Sequence, residues 1–279
     1  MSRYSWKAML PFTFLCILLM AACGSPSAIQ TTSQSTPLPA SAQGQALLTK
    51  AGQQLKTAKT LHAIFDIQTT GSAANGTVST EVWNASPDKS RTVVLQSTLR
   101  QFSIGTITIN NGKQIWQYDP AKKIVYTGQG NTTATPIAST GRDQTQPLMN
   151  IVQLVFTHSN ATLVSSSASV NGRDVYDLQV ISSASTQPGS TGSGTFNYNG
   201  DVFIDKKSLL PVQEQLAIRG FGEVTVNLPI LVLDQPVDNS LFTFVPPAGV
   251  KVLPFPKTTS ADTGTLSLEQ AQLQAGYHL

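Results

Sequence analysis

Three short patterns in this sequence have the residue types of a catalytic site, and none has the partners that the chemistry requires. Ser86 and Lys89 have the S-x-x-K spacing in which a lysine activates a serine for acyl transfer, but no S-D-N or K-T-G partner follows them. Asp262 begins an Asp-Thr-Gly triplet of the acid-protease type without a second suitable carboxylate. The glycine pairs around Gln129 and Phe221 lack the third glycine and the helix of a dinucleotide site. We therefore expect no enzymatic activity and no cofactor.

Cys23 has the clearest chemical assignment. Residues 1–22 carry two basic residues and then an uncharged apolar run, which is too short to span a membrane and is typical of a secretory signal. The run ends in L-M-A-A-C, which resembles the bacterial lipobox, where the cysteine is acylated. We expect lipidated Cys23 to anchor the chain to the bacterial membrane on its extracytoplasmic or periplasmic side. The alternative is an ordinary cleaved signal followed by an incidental cysteine.

Composition excludes several classes of partner. Only 12% of the residues are charged and the net charge is +3, so binding of nucleic acid through a basic stripe is excluded. Two cysteines exclude a disulfide scaffold, and three scattered histidines exclude most metal sites of the zinc type. Residues 23–44 are rich in Ser, Thr, Pro and Gln without a charge, which predicts a flexible tether.

The periodicity after this tether predicts mainly strands. Ala46–Lys59 has helical spacing, and a second helix is expected at Pro147–Thr157. Period-two alternation begins at Leu61, and turn signals such as Asn111-Gly112 separate about ten strands. An antiparallel sheet of that size does not stay flat. We expect an α+β, mainly β chain: an open antiparallel half-barrel wrapped around lid helices.

Four motifs in register carry a resemblance to a known family. They are the hairpin N-G-K-Q-I-W-Q-Y-D-P at Asn111–Pro120, the closing stretch F-T-F-V-P-P-A-G-V-K-V at Phe242–Val252, the corner Pro87–Arg91, and V-F-I-D at Val202–Asp205 with Leu210-Pro211. Together they resemble the bacterial lipoprotein carriers and receptors of the LolA/LolB type and their lipid-binding relatives. The order and spacing agree from about Lys50 to Val252.

The resemblance implies a half-barrel with an apolar cavity that accepts acyl chains. It also implies that Arg91 is the corner arginine that holds a closed lid; the alternative is a solvated arginine at a strand end. Trp116 and Tyr118 share a strand face and are either cavity-lining residues or core aromatics. The periodicity adds further cavity-lining candidates, namely Phe65, Ile67, Leu148, Ile151 and Val155.

The sequence thus predicts a signal (1–22), a tether (23–44), a half-barrel domain (45–256) and a C-terminal stretch (257–279) that is either a frayed tail or the start of a second module. We expect a monomeric, membrane-anchored lipoprotein that binds the acyl chains of lipids or lipoproteins and no nucleic acid. One alternative is an envelope-sensing regulatory module of the anti-sigma-regulator type, which uses the same fold to bind protein. The other is a structural protein of the cell surface without a pocket.

Overall fold

The computed structural model describes residues 38–71, 75–100, 102–130, 154–182 and 197–255. These residues belong to the second of two units into which the chain divides, Leu38–Leu279. The predicted signal, Cys23, Leu148, Ile151 and the C-terminal stretch 257–279 lie outside them.

In this part of the chain one long helix and one short helical segment accompany twelve strands. The helix α1 is Ala40–Thr57, residues 154–158 are also helical, and a 3-10 turn, η1, spans Asn239–Phe242. The strands are β1 (Thr60–Thr70), β2 (Gly76–Ala85), β3 (Lys89–Ser97), β4 (Ile107–Asn111), β5 (Gln114–Asp119), β6 (Ile124–Gln129), β7 (Ser159–Val170), β8 (Arg173–Ser182), β9 (Tyr198–Asp205), β10 (Pro211–Ile218), β11 (Gly222–Leu233) and β12 (Lys251–Pro254).

All twelve strands form one sheet, in the order β12-β6-β5-β4-β3-β2-β1-β11-β10-β9-β8-β7. Eleven of the strands form two meanders, β1 to β6 and β7 to β11, which join where β1 pairs with β11; β12 adds to the sheet beside β6. Every pair is antiparallel except β12 with β6. The two edge strands do not meet, so the sheet is open, and the predicted mainly-β half-barrel is confirmed.

Alternation of side chains gives the sheet one strongly apolar face, which we call the inner face. In β1, Leu61, Ala63, Phe65 and Ile67 are buried at every second position, which is the predicted period of two. They belong to the main hydrophobic core, together with Leu48 of α1 and other inner-face residues of β2 and β8–β11. The helices therefore cover this face.

Helix α1 begins earlier than the sequence predicts, at Ala40 rather than Ala46. The reason is tertiary contact, because Gly44 is already buried against the edge strand β7. The side chain of Gln45 accepts a hydrogen bond from the backbone N–H of Ala161, 3.0 Å away in that strand. Part of the open edge of β7 is thereby capped by the helix.

The C-terminal part also differs from expectation. The closing stretch at Phe242–Val252 begins without a strand: the η1 turn ends at Phe242, and Asp238 caps it by accepting a 2.9 Å hydrogen bond from the N–H of Ser240. Strand pairing resumes only after Pro246 and Pro247, which cannot donate to a ladder.

Gly44→Ala tests the packing of α1 on β7. An added Cβ would lie 2.5 Å from the backbone nitrogen of Leu163, and neither backbone can yield without moving the helix. We expect the free energy of unfolding in urea to fall by about 2 kcal/mol. Gly52→Ala is the matched control: its Cβ would meet the Cβ of Phe156 at 3.2 Å, and gained helix propensity offsets this. Equal effects of the two substitutions would contradict the close contact at Gly44.

Candidate functional site

One row of paired residues crosses the inner face and is apolar except at a single position. The strand register aligns neighbouring side chains across five antiparallel pairings. Every member is at most 2% exposed. The row runs Leu178, Val202, Glu214, Val226, Ile67, Val78.

Glu214 is the exception in this row. Its side chain is 0% exposed, and neither carboxyl oxygen has a hydrogen-bond partner among the residues that the structure describes. Burial therefore raises the pKa of Glu214 well above its ordinary value. A carboxyl group in this setting is held in its neutral form, which can donate one hydrogen bond and accept others.

Tyr198 ties the short helical segment to the inner face near Glu214. Its hydroxyl lies 2.8 Å from Oγ of Ser159, and it also contacts the carbonyl oxygens of Leu154 (3.2 Å) and His158 (3.3 Å). Burial raises the pKa of Tyr198, while the hydrogen bond with Ser159 opposes that rise. Since β9 carries both Tyr198 and Val202, this anchor lies four residues along the strand from the row that contains Glu214.

Three of the predicted cavity-lining residues come together on the inner face. Phe65 and Ile67 are buried in β1, and Val155 of the short helical segment packs into the same core. In the structure, these side chains pack against their core neighbours and are almost inaccessible to solvent. Leu148 and Ile151 lie outside the described residues.

Trp116 and Tyr118 lie on the opposite, outer face. The register pairs Trp116 with Ile109 and Tyr118 with Ile107, and these positions alternate with the inner-face positions. Both aromatic rings contact Phe244, with ring centroids 6.5 and 6.1 Å away. They therefore pack under the segment that leads from η1 to β12.

Arg91 also lies on this outer face, where it pairs with Trp83 and Ile109. Its guanidinium donates a long hydrogen bond, 3.4 Å, to the carbonyl oxygen of Leu241 in η1. Lys89 of the same strand donates to Oδ1 of Asn239 at 2.8 Å. The corner motif thus holds the C-terminal turn, whereas α1 and the 154–158 segment cover the other face.

Sequence reasoning did not single out Glu214. The signal was nevertheless present, because Val212, Leu216 and Ile218 form an apolar alternation in which the glutamate occupies a core position. A charged residue at such a position predicts a buried polar group. Whether Glu214 has a hydrogen-bond partner depends on the side chains that β9 and β11 place beside it. Those side chains are set by pairing between distant parts of the chain.

Two further observations bear on the class of site. Within the described ranges, no cluster of three or more His, Cys, Asp or Glu residues is arranged to hold a metal ion. No helix in those ranges is both long and apolar enough to cross a membrane.

The chain matches no model of a known protein family and no functionally curated protein sequence. Solved structures do match it. LprF from Mycobacterium bovis is 13% identical, with a TM-score of 0.46 over 72% of this chain and 100% of that chain. The lipoprotein LppX from Mycobacterium tuberculosis is 15% identical, with a TM-score of 0.42 over 69% of this chain and 97% of that chain.

A third match is MucB in the MucA/MucB complex of Pseudomonas aeruginosa. It is 14% identical with a TM-score of 0.39, over 71% of this chain and 59% of that chain. The matching structures include folds of the lipoprotein-carrier type that the sequence motifs resemble. At these identities the likeness concerns the fold alone and assigns no ligand to this chain.

The buried carboxyl group predicts a characteristic dependence of stability on pH. The folded chain keeps the proton of Glu214 at pH values above the ordinary pKa of 4.5, where the unfolded chain releases it. The free energy of unfolding should therefore fall as pH rises from 4.5 towards the raised pKa, by up to about 1.4 kcal/mol per pH unit.

Urea unfolding of the natural chain and of Glu214→Gln across this pH range measures the effect. The variant lacks the titrating group, so the difference between the two curves should change above pH 4.5 and be constant below it. Parallel curves over the whole range would mean that Glu214 is solvated.

Proposed function

We propose that the chain is a membrane-anchored, extracytoplasmic lipoprotein that binds the acyl chains of lipids or of other lipoproteins on the inner face of its open sheet. The observation that carries this proposal is the apolar inner face, which extends over β1, β2 and β8–β11 and is covered by helices rather than by a second sheet. Helices held at a few points can be displaced by an apolar ligand. The anchor in this proposal is lipidated Cys23.

Burial of methylene groups supplies enough free energy for such binding. Each methylene moved out of water contributes about 0.8 kcal/mol, so an acyl chain of roughly 14 methylenes gains about 11 kcal/mol before ordering costs. Because helices cover the inner face in the structure, the free energy needed to displace them offsets part of that gain. The hydrogen bonds of Tyr198 to the 154–158 segment are one such restraint.

We also propose that the chain has no enzymatic activity. The only candidate nucleophile that sequence spacing pairs with a base is Ser86, which lies in an exposed turn. The amino group of Lys89 is engaged with Asn239. Neither residue is aimed at the inner face, where the proposed ligand binds.

Native mass spectrometry of the full chain tests the proposed ligand class. The Cys23→Ala variant is used, because it lacks the predicted acylation site and so carries no acyl chain of its own that could be mistaken for a bound ligand. After purification from a bacterial host, we expect phospholipid, fatty acid or glycolipid bound at close to one molecule per chain. A chain that is free of lipid after purification, and that takes up none from phospholipid vesicles, would contradict the proposal. That result would favour the regulatory, protein-binding alternative.

Tyr198→Phe tests the restraint on the cover. Loss of the hydroxyl removes the contacts to Ser159 and to the carbonyl oxygens of Leu154 and His158, so the free energy of unfolding should fall by about 1 to 2 kcal/mol. Exchange of a fluorescent fatty acid should become several-fold faster by stopped flow. Tyr176→Phe is the control, since its ring packs on the same core and accepts a cation–π contact from Lys206. Equal exchange rates in both variants would show that the hydrogen bonds of Tyr198 do not restrain displacement of the cover.

A further inference from the structure

The carboxyl group of Glu214 lies where an aliphatic side chain would be more stable. Its partners in the row, Val202 and Val226, are aliphatic and at most 1% exposed. A buried polar group without a hydrogen bond costs about 1 to 3 kcal/mol. Leu216 and Ile218 on the same face of the same strand incur no such cost, so the fold itself does not require a glutamate here.

No charged group of the neighbouring strands faces Glu214 in the described residues. Asp201 of β9 pairs with Gln215, so it lies on the outer face, and the register also places Asp177 of β8 and Glu223 of β11 there. Lys50 and Lys56 of α1 are exposed. The titratable groups on the inner side include Tyr198 of β9, Tyr176 of β8 and Lys206, whose amino group lies over the Tyr176 ring. None of the described cations forms an ion pair with Glu214, as a buried carboxylate would need.

We propose that Glu214 is a hydrogen-bonding subsite for an uncharged hydroxyl or carboxylic acid group carried by the acyl ligand. This inference rests on the proposed function and deepens it by naming the polar group that the ligand brings to the inner face. The two carboxyl oxygens of Glu214 determine which ligand groups can bind there. In the neutral carboxyl, the O–H needs an acceptor and the carbonyl oxygen can take a donor.

A ligand group that both donates and accepts satisfies both oxygens at once. A hydroxyl does so, and an undissociated carboxylic acid does so through two parallel hydrogen bonds. An ester or ether only accepts, which leaves the carbonyl oxygen of Glu214 without a donor. A phosphate or an ammonium group would bring a charge into a row of aliphatic side chains, at a far larger desolvation cost.

Two matched pairs of probes test the subsite. The first is 1-octadecanol against octadecyl methyl ether, and the second is stearic acid against methyl stearate, at a mildly acid pH that keeps the acid largely undissociated. Members of a pair differ only by a methyl group in place of the donated hydrogen. Each pair is offered in equimolar mixture to the full chain carrying Cys23→Ala, and native mass spectrometry gives the ratio of bound species.

We expect the hydroxyl or acid member to be preferred roughly tenfold by the chain with Glu214. In Glu214→Leu the preference should disappear while the ether and the ester still bind, because apolar burial is unchanged. Glu214→Gln should keep a preference, since its amide both donates and accepts. Circular dichroism and urea unfolding of each variant establish that it is folded.

The outcomes separate this inference from the proposed function. Preference in the alcohol pair alone assigns the subsite to a hydroxyl, and preference in the acid pair alone assigns it to a carboxylic acid. If all probes bind without preference, or if Glu214→Leu discriminates as well as Glu214 does, the subsite is wrong and acyl binding stands. If the chain with Glu214 binds none of the four probes, the proposed function fails and the subsite fails with it.

Discussion

An open sheet is stable in water only if its apolar face is covered by other parts of the same chain. In the part of the chain that the structure describes, α1 and the 154–158 segment form that cover. Helix α1 reaches the sheet through Gly44 and Gln45 at the edge strand β7, and the 154–158 segment is held by the hydroxyl of Tyr198. The main core, from Leu48 to Val226, depends on these contacts remaining in place.

The two faces of the sheet are covered in different ways. On the outer face Phe242 is fully buried over β3 and β4, and Phe244 packs on Trp116 and Tyr118. That cover ends in a strand, β12, which is bonded into the sheet. In the described residues the inner cover adds no strand to the sheet; side-chain packing and hydrogen bonds such as those of Gln45 and Tyr198 hold it over the residues proposed to meet a ligand.

The sequence predicts local features of this fold well. Alternation at Leu61, Ala63, Phe65 and Ile67 identifies both the strand and its buried face, because it needs no information beyond the neighbours in the chain. The face occupied by Trp116 and Tyr118 was not predictable in the same way, since their partner, Phe244, is distant in sequence. Glu214 shows the same limit: its position is visible in the alternation, but its lack of a hydrogen-bond partner among the described residues follows from long-range pairing.

The junction of β1 with β11 has a consequence for how the chain folds. Each meander joins strands that follow one another, so it can assemble from nearby residues, but the junction pairs Leu61 with Leu233. Closing so long a loop costs more chain entropy than forming either meander, so we expect this pairing to form after them. Until it is complete, β1 and β11 both present unpaired edges, which pair readily with other chains. We therefore expect the chain to be most prone to aggregation in the interval before this pairing closes.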